Sequence, residues 1–459
     1  MPLSRANILF VSSRADSGAG GENYLLQVMR HLDRERFRPI VVLPGEGSLR
    51  APLEKMGVEV VVVEAGYGWI GAQRPWYRYM AKTRDRVYRL VDLIKEKHID
   101  LVHTNSNFHL EGALGAQLAG VHHLYLAHIE LQPEVPLFQR LSLDPASYAA
   151  LMGQLSTRIV AVSRSVADRL SPPVPSEKIQ IIHNGLDMEV FDAAMEAADG
   201  SLRAELGVED NSLLVTALGR VCPDKGFDYY LEAASRVLSS RPNVHFLLVG
   251  GDEHKKFASD LRAQAQERDI KDHFHFLGFR DDVPRILAES DIFVLSSRRE
   301  GHPYVLLEAM ACGCAVVASR CAGVEETVME GKTGRTTEVG DVEAISASII
   351  SLIDDPELRK TLGMNAFQDI RERFTASTSV EGLMAAYEEI LALPSPPSGS
   401  PAVTLFLQAA REIGDLGLHV TDVQERLRQV EHVTNLIKEN PIARAARRVV
   451  HRWRAFKNS

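Results

Sequence analysis

The sequence has few cysteines, no long apolar run and no excess of basic residues. Of its 459 residues only four are cysteine, which is too few for a disulfide scaffold and favours a reducing compartment. No run of 18 consecutive apolar residues occurs, so no membrane-spanning helix is expected. The formal net charge of −9 argues against a whole-protein nucleic-acid binder. We therefore expect a cytoplasmic protein, either free or attached peripherally to the inner face of a membrane.

The cysteines allow two interpretations. Cys312 and Cys314 are separated by one residue and Cys321 follows, a spacing that permits a metal site. The same residues also serve as small apolar fillers around a buried helix, and this interpretation is favoured. No metal site is predicted.

Short β-branched runs alternate with amphipathic stretches along most of the chain, which predicts parallel sheets covered by helices on both faces. A stretch rich in Ala, Asp and Glu, residues 192–211, separates two series of such runs. The fold class predicted is α/β, with two doubly wound, Rossmann-like domains facing an interdomain cleft. The predicted strands are Asn7–Ser12, Pro39–Leu43, Val58–Val63, Asp100–His103, His123–Ala127, Arg158–Val162 and Lys178–Ile182, then Leu213–Leu218, Val244–Val249, His273–Leu277, Asp291–Leu295 and Ala315–Ala318.

The C-terminal part differs in character from the two domains. The sequence PSPPSGSP at 394–401 indicates a linker, and apolar residues at three- and four-residue steps predict an amphipathic helix over 422–440, too short for a long coiled coil. The last 19 residues carry six Lys or Arg and no acid. The predicted units are 1–190 and 191–375 for the two domains, 376–393 for a final helix packing back on the first domain, 394–402 for the linker and 403–459 for a helical basic tail.

The strongest chemical signal is the segment RREGHPYVLLEAMACG at 298–313. Glu300 is expected in a loop after a strand, and Glu308 one turn inside a helix that is apolar on all sides. A buried carboxylate is costly without partners, so Glu308 either pairs with a nearby donor or grips a sugar diol. The start of this helix offers free N–H groups to an anion.

Two glycine-containing loops also follow predicted strands. Gly219-Arg220 and Lys225 lie after the first strand of the second domain, where a pair of cations can clamp a diphosphate. Gly20 and Gly21 form a glycine-rich turn after the first strand of the chain, which permits close backbone approach to a ligand. Solvated surface charge and an ordinary tight turn are the alternative interpretations of these two loops.

Taken in order, these motifs resemble the retaining glycosyltransferases of the GT-B fold classed as family 4, also called glycosyl transferases group 1. Glu300 and Glu308 match the family's E-x7-E motif, and Arg220 and Lys225 match its GR…KG loop. The segment 184–187, NGLD, is similar to its N-G-[VI]-D, and Gly250-Gly251 to the glycines after its second C-domain strand. The likeness covers roughly residues 6–392. Ala322-Gly323 and Glu325-Glu326 depart from the usual Gly-Gly and Pro-Glu, although Glu326 keeps the acidic position.

The resemblance implies roles for these residues. A UDP- or GDP-sugar would bind mainly to the second domain, with no other cofactor. Arg220 and Lys225 would neutralise the diphosphate, Glu308 would bind the ribose, and Glu300 would orient the transferred sugar. The backbone N–H groups of Val305 and Leu306 would meet the distal phosphate. His128 takes the place of the family's active-site histidine, with a satisfied core histidine as the alternative.

The same resemblance implies sugar transfer to a glycan or lipid-linked acceptor with retention of configuration. No Asp-x-Asp occurs, so Arg220 and Lys225 are expected to act where other enzymes use Mg²⁺. Two other functions stay open: an inactive scaffold that serves as an interaction protein, and a sugar-nucleotide epimerase of the same fold. The basic tail predicts either a helix in a membrane interface or one that packs on the acidic body or mediates oligomerisation.

Overall fold

The computed structural model describes residues 5–16, 18, 20–64, 76–105, 109–134, 138 and 144–439. Seven parallel strands form the first sheet, in the order β3-β2-β1-β4-β5-β6-β7. Both sides of this sheet are covered, so its strands are nearly continuous apolar runs, as parallel strands usually are. The strands are β1 Ala6–Ser12, β2 Phe37–Leu43, β3 Glu59–Val62, β4 Leu101–Asn105, β5 His122–Ala127, β6 Arg158–Ala161 and β7 Ile179–Ile181.

Six parallel strands form the second sheet, in the order β10-β9-β8-β11-β12-β13. In each sheet the strand order reverses once, between β1 and β4 in the first and between β8 and β11 in the second. Ligands of doubly wound folds bind beyond the carboxyl ends of strands at such a point. The strands are β8 Leu213–Leu218, β9 Val244–Val249, β10 Phe274–Gly278, β11 Ile292–Leu295, β12 Ala315–Ser319 and β13 Arg335–Thr337.

Helices connect these strands and continue after the second sheet. The α-helices are α1 Gly20–His31, α2 Arg50–Lys55, α3 Trp76–Glu96, α4 Glu111–Ala119, α5 Pro145–Leu155, α6 Arg164–Leu170, α7 Met188–Glu196, α8 Ser201–Leu206, α9 Phe227–Leu238, α10 Lys255–Glu267, α11 Val283–Ala288, α12 Tyr304–Ala311, α13 Val324–Thr327, α14 Val342–Asp354, α15 Pro356–Arg373, α16 Ala376–Leu391 and α17 Pro401–Glu439. None of them, within the described residues, is long and apolar enough to cross a membrane.

The predicted fold class, two Rossmann-like domains and a helical C-terminal part, is confirmed. Each of the twelve predicted strands corresponds to one in the structure. Strand β13 was not predicted, because it has three residues, Arg-Thr-Thr, and none of them is apolar.

Helix α16 packs on the first domain although it follows the second in the chain. The Tyr387 hydroxyl lies 2.5 Å from His103 Nδ1, and its ring meets those of Phe10 and Phe37 edge-on. Just before this helix, Leu186 bridges to Thr375. The chain therefore crosses between the domains twice.

The segment predicted as a linker is packed against the first domain. The Gly399 N–H donates to Leu118 O at 3.1 Å, and a Cβ placed on Gly120 would lie 2.8 Å from Ser398 Cβ. Helix α17 then begins at Pro401, a residue well suited to the first turn and two residues before the predicted start of the helical tail, and it includes the described part of the amphipathic stretch predicted over 422–440. The predicted tail helix beyond residue 439 lies outside the described residues.

Candidate active site

Lys225 and Glu300 form an ion pair at the point where the second sheet reverses its strand order. Lys225 ends a 3-10 turn after β8, and Glu300 lies in the loop after β11, the strand paired with β8. The Lys225 Nζ lies 2.6 Å from Glu300 Oε1, and the Ser297 hydroxyl donates to the same oxygen at 2.6 Å. Both charged side chains are mostly buried. Two residues 75 positions apart, both predicted from the sequence, thus meet in one cluster.

Two glycines of this cluster are required by close backbone contact. Gly226 has a φ of +63°, and a Cβ there would lie 2.0 Å from Ser296 O. Gly250 has a φ of +151°, and a Cβ there would lie 1.8 Å from the carbonyl oxygen of Gly219. Any larger residue would push the loops after β8, β9 and β11 apart.

Arg220 forms its ion pair with a carboxylate other than Glu300. Its guanidinium contacts Glu253 at 2.5 Å, and both side chains are about half exposed. The structure therefore brings Arg220 to the same end of the sheet as Lys225 but pairs it with a different carboxylate.

Helix α12 presents its N-terminus beside Glu300. The Leu306 N–H already donates to Pro303 O at 3.1 Å. The Val305 N–H has no protein acceptor among the described residues, so it is free to meet an anion. Further along, the Glu308 carboxylate is partly buried and has no hydrogen-bond partner within the described ranges, and burial raises its pKa to about 7.

His128 lies directly after β5 in the first domain and is held by two hydrogen bonds in series. Its Nε2 lies 2.9 Å from Asn105 Oδ1, and the Asn105 amide donates to Gly21 O at 2.8 Å. Because Asn105 presents its oxygen to the ring, Nε2 carries the proton. Burial lowers the pKa of His128 to about 4, so the ring is neutral at pH 7. Tyr24 packs edge-on against it, with ring centroids 5.4 Å apart.

Glycines mark the contact between the two domains at this point. A Cβ on Gly301 would lie 1.7 Å from His128 O, and one on Gly20 would lie 3.4 Å from the Tyr304 ring. Glu300 is therefore one residue away from the backbone that touches His128. The predicted first-domain residues Gly20, Gly21 and His128 and the second-domain cluster face one another across the cleft.

Glu326 serves as a contact to the first domain. Its carboxylate accepts hydrogen bonds from the Arg164 N–H at 2.8 and 2.9 Å, from the Ser165 N–H at 3.4 Å and from His183 Nε2 at 2.8 Å. Burial raises its pKa, but the His183 ring and the backbone amides outweigh burial, so the pKa lies below its usual value. Donor binding by Glu326 stays a prediction, and its oxygens are already engaged at the start of α6.

A cavity of about 490 Å³ opens between the domains next to this contact. Arg298 and Arg299 directly precede Glu300 in the loop that forms one wall. Arg298 is held by Asp228 at 2.6 and 2.8 Å. The lining carries charges of both signs, from Arg164, Arg169, Arg298, Arg299 and Arg320 and from Glu130, Asp168, Glu325 and Glu326.

Three residues of the site were not predicted from the sequence: Glu22, Asn105 and Ser297. Glu22 is 2% exposed, its Oε2 has no partner in the part of the chain described, and burial raises its pKa against the opposing charges of Arg14 and Arg220. A carboxylate at the start of an amphipathic helix, directly after Gly20-Gly21, was a signal that could have been used. Asn105 and Ser297 carry no comparable signal, because their partners come from distant parts of the chain.

No group of three or more His, Cys, Asp or Glu residues in the described ranges is arranged to hold a metal ion. Cys312 and Cys314 are buried beside α12, and the Cys314 thiol donates to Leu287 O at 3.3 Å. Both therefore act as apolar packing residues with weak donors.

Two Rossmann-like domains that face each other across a cleft form the architecture of the GT-B glycosyltransferases. Two family models match the chain in succession: Glycosyltransferase Family 4 over residues 18–190 and Glycosyl transferases group 1 over residues 199–369. The chain belongs to this glycosyltransferase family, as its motifs predicted.

Two bacterial enzymes are similar in sequence to part of this chain. The N-acetyl-alpha-D-glucosaminyl L-malate synthase of Bacillus anthracis is 29% identical over 51% of this chain and 60% of that protein. The UDP-Gal:alpha-D-GlcNAc-diphosphoundecaprenol alpha-1,3-galactosyltransferase of Escherichia coli is 28% identical over 61% of this chain and 73% of that protein. Anabaena Alr3699/HepE, solved with UDP and glucose, shares the fold with a TM-score of 0.71 and 23% identity, over 84% of this chain and 100% of that one.

Proposed function

We propose that the protein transfers a sugar from a UDP- or GDP-sugar to a glycan or lipid-linked acceptor with retention of anomeric configuration. The observation that carries the proposal is the Lys225–Glu300 pair, set one residue from the Gly301 contact to His128. At this point the lysine cation can bind a diphosphate, and the neighbouring carboxylate can accept a hydrogen bond from a sugar hydroxyl. The names of the Escherichia coli and Anabaena relatives, which include UDP-sugars, support a nucleotide-sugar donor.

The donor would lie along the second domain. Glu308, which has no hydrogen-bond partner among the residues that the structure describes, would accept hydrogen bonds from the ribose hydroxyls. The free Val305 N–H would donate to the distal phosphate, with help from the positive end of α12. Lys225 and Arg220 would neutralise the negative charge that grows on the diphosphate as the bond to the anomeric carbon breaks.

The transferred sugar would lie between Glu300 and His128. Glu300 accepts hydrogen bonds from Lys225 and Ser297 now, and with donor present it would also accept one from a sugar hydroxyl. The neutral His128 ring has its Nδ1 lone pair free of the Asn105 contact and can accept another. The acceptor hydroxyl would attack from the face that the diphosphate leaves and pass its proton to a diphosphate oxygen as the bond from that oxygen to the anomeric carbon breaks, which gives retention.

An assay with candidate donors tests this proposal. Thermal stabilisation by UDP, GDP and their sugars would identify the base, and nuclear magnetic resonance of the product would give the configuration of the new bond. Turnover should continue in EDTA, because cationic side chains stand in the place of a metal. Inversion of configuration would overturn the retaining mechanism, and loss of turnover in EDTA with rescue by Mg²⁺ would overturn the metal-independent one.

The two other candidate functions predict different outcomes in the same assay. An inactive scaffold would neither transfer nor hydrolyse any donor, and an epimerase would convert the donor sugar without an acceptor. Lys225, Glu300 and His128 are each held in place by a hydrogen bond or an ion pair, which favours an active transferase over a scaffold.

We also propose that the basic C-terminal tail holds the protein peripherally on the inner face of an anionic membrane. Residues 441–459 carry six Lys or Arg and no acid, whereas the rest of the chain has a formal charge of −15. A lipid-linked acceptor, such as the diphosphoundecaprenol carrier in the name of the Escherichia coli relative, would be presented at that surface.

A further inference from the structure

Helix α17 has one apolar stripe that is already covered. Val403, Leu407, Ala410 and Gly414 are buried against the first domain. The helix approaches α3 so closely that a Cβ on Gly414 would lie 2.2 Å from the backbone nitrogen of Ala81. This stripe fixes the first half of the helix to the body of the protein.

A second apolar stripe on the same helix is uncovered. Ile413, Leu416, Val420, Val423 and Leu427 follow one another at alternating three- and four-residue steps, and each is 43% to 65% exposed. In sequence the same steps continue through residue 430 to residue 437, with a threonine at 434. At 3.6 residues per turn this stripe lies roughly 130° around the helix from the one that contacts α3.

The exposed stripe has the heptad spacing of a coiled-coil seam. Residues 413, 420, 427 and 434 occupy the first (a) position of successive heptads, and 416, 423, 430 and 437 the fourth (d). The helix runs unbroken to Glu439, and residues 422–429 are all exposed, so this part projects beyond the body. A lone helix with a continuous apolar stripe in water gains nothing from that stripe, whereas a paired one buries it.

We propose that a second copy of this chain covers the stripe, through a parallel two-stranded coiled coil formed by the two α17 helices. Four heptads of pairing would extend over roughly 35 to 40 Å of helix. The proposal concerns assembly and does not depend on the proposed transferase activity.

The first heptads of the stripe favour two strands. Ile413 and Val420 are β-branched residues at a, and Leu416 lies at d, the combination typical of parallel dimers; Leu427 at a and Val423 at d depart from it.

Charge supports the parallel direction. Arg426 lies at a g position, and residue 431, a glutamate, lies at the following e position. In a parallel pair these two positions face each other across the seam, on both sides of the dimer, and opposite charges there favour in-register pairing. In the single chain Arg426 contacts Asp422 on its own helix, at 2.9 Å, and both side chains are exposed.

The mass of the full-length protein in solution tests the assembly. Light scattering is expected to give twice the 50.8 kDa of one chain. The double substitution Val420→Asp with Leu427→Asp should give the mass of a single chain, with the melting temperature of the catalytic domains kept. Leu418→Asp is the matched control: Leu418 is also an exposed apolar residue of α17, but it lies at the outward f position, so the dimer should persist.

Oxidative cross-linking tests the direction of the pair. With Leu427→Cys the two introduced thiols should meet across a parallel seam and form a disulfide, whereas Leu418→Cys and the unmodified chain should not cross-link. Arg426→Glu should weaken the dimer, and adding Glu431→Arg should restore it.

Three results would overturn the proposal. The first is a single-chain mass for the unmodified protein at micromolar concentration. The second is a mass of three chains, or a Leu418→Asp variant that loses the dimer to the same extent as the Val420→Asp, Leu427→Asp variant. The third is a single chain that sediments with neutral phosphatidylcholine vesicles and stops doing so in the Val420→Asp, Leu427→Asp variant, because the stripe would then face lipid.

Discussion

Glu300 has two partners within its own domain, Lys225 and Ser297, which hold its mostly buried carboxylate in one position. Glu308 has no hydrogen-bond partner among the described residues, and burial raises its pKa to about 7. Two carboxylates eight residues apart therefore have different surroundings. The difference comes from their neighbours, since both belong to the same short segment.

Glu300→Gln and Lys225→Ala are each expected to lower turnover by about 10²- to 10³-fold, the usual effect of removing one group that stabilises developing charge. Circular dichroism and the melting temperature should stay close to those of the unmodified protein. Lys256→Ala is the matched control, because Lys256 is an exposed lysine that pairs with Asp260 on the surface of α10. Unchanged turnover in either site variant, with the correct donor, would contradict the assignment.

Glu308→Gln should change how stability depends on pH. Between about pH 4.5 and pH 7 the folded protein holds a proton on Glu308 that the unfolded chain has lost, so this carboxyl weakens folding as the pH rises through that window. The amide does not titrate, and we expect the variant to melt about 2–4 °C higher than the unmodified protein at pH 8 and equally at pH 4. Melting curves of both proteins from pH 4 to pH 8 test this, and Glu357→Gln, at an exposed glutamate, is the control. A variant that melts higher than the unmodified protein at pH 4 but not at pH 8 would contradict the prediction.

At the scale of elements, the cleft depends on loops that approach each other without side chains between them. The loop after β11 reaches the end of β5 because Gly301 has no Cβ to strike His128 O. The start of α6 is tied to the second domain by Glu326, whose carboxylate binds two backbone N–H groups there. These contacts set the distance between Glu300 and His128.

Gly301→Ala should therefore damage activity more than stability. A Cβ 1.7 Å from His128 O must push the loop away, and displacement of reacting groups by about 1 Å costs roughly 10²-fold in rate. Gly45→Ala is the matched control, since a Cβ there meets nothing within 4 Å. Initial rates at saturating donor are measured for Gly301→Ala and Gly45→Ala. If the two variants have equal rates, the Gly301 contact does not position the active-site residues.

At the scale of the whole molecule, a parallel pair of α17 helices would bring the two basic tails to the same end of the dimer. Two tails acting together bind a surface more tightly than one, because attachment of the first raises the local concentration of the second. A parallel dimer would therefore allow both tails to reach the same membrane surface.

Removal of the tail is expected to abolish binding to anionic vesicles. Full-length protein should sediment with phosphatidylglycerol vesicles at low salt and be released at high salt, because each basic residue near an anionic surface contributes roughly 1 kcal/mol and salt screens it. A chain ending at Asn440 should stay in the supernatant while keeping its activity on a soluble acceptor. If the full-length protein also stays in the supernatant, the tail has another role.

Local pattern allowed much of the fold to be predicted. Strands covered on both faces are continuous apolar runs, so all seven of the first sheet were found, whereas the short edge strand Arg335–Thr337 was not. The Pro/Ser/Gly run before α17 suggested a loose linker, but the Gly399 N–H donates to Leu118 O in the first domain. Local pattern does not record that contact, because the two residues lie far apart in the chain.

The sequence by itself determined the family, the two-domain fold and the spacing of Glu300 and Glu308, because each depends on residues close together in the chain. Only the tertiary structure decided that Lys225 lies 2.6 Å from Glu300, that Asn105 orients His128, and that Glu326 faces α6. Those contacts join residues far apart in the chain. They depend on which strands lie side by side and how closely the two domains approach, and a linear pattern does not record either.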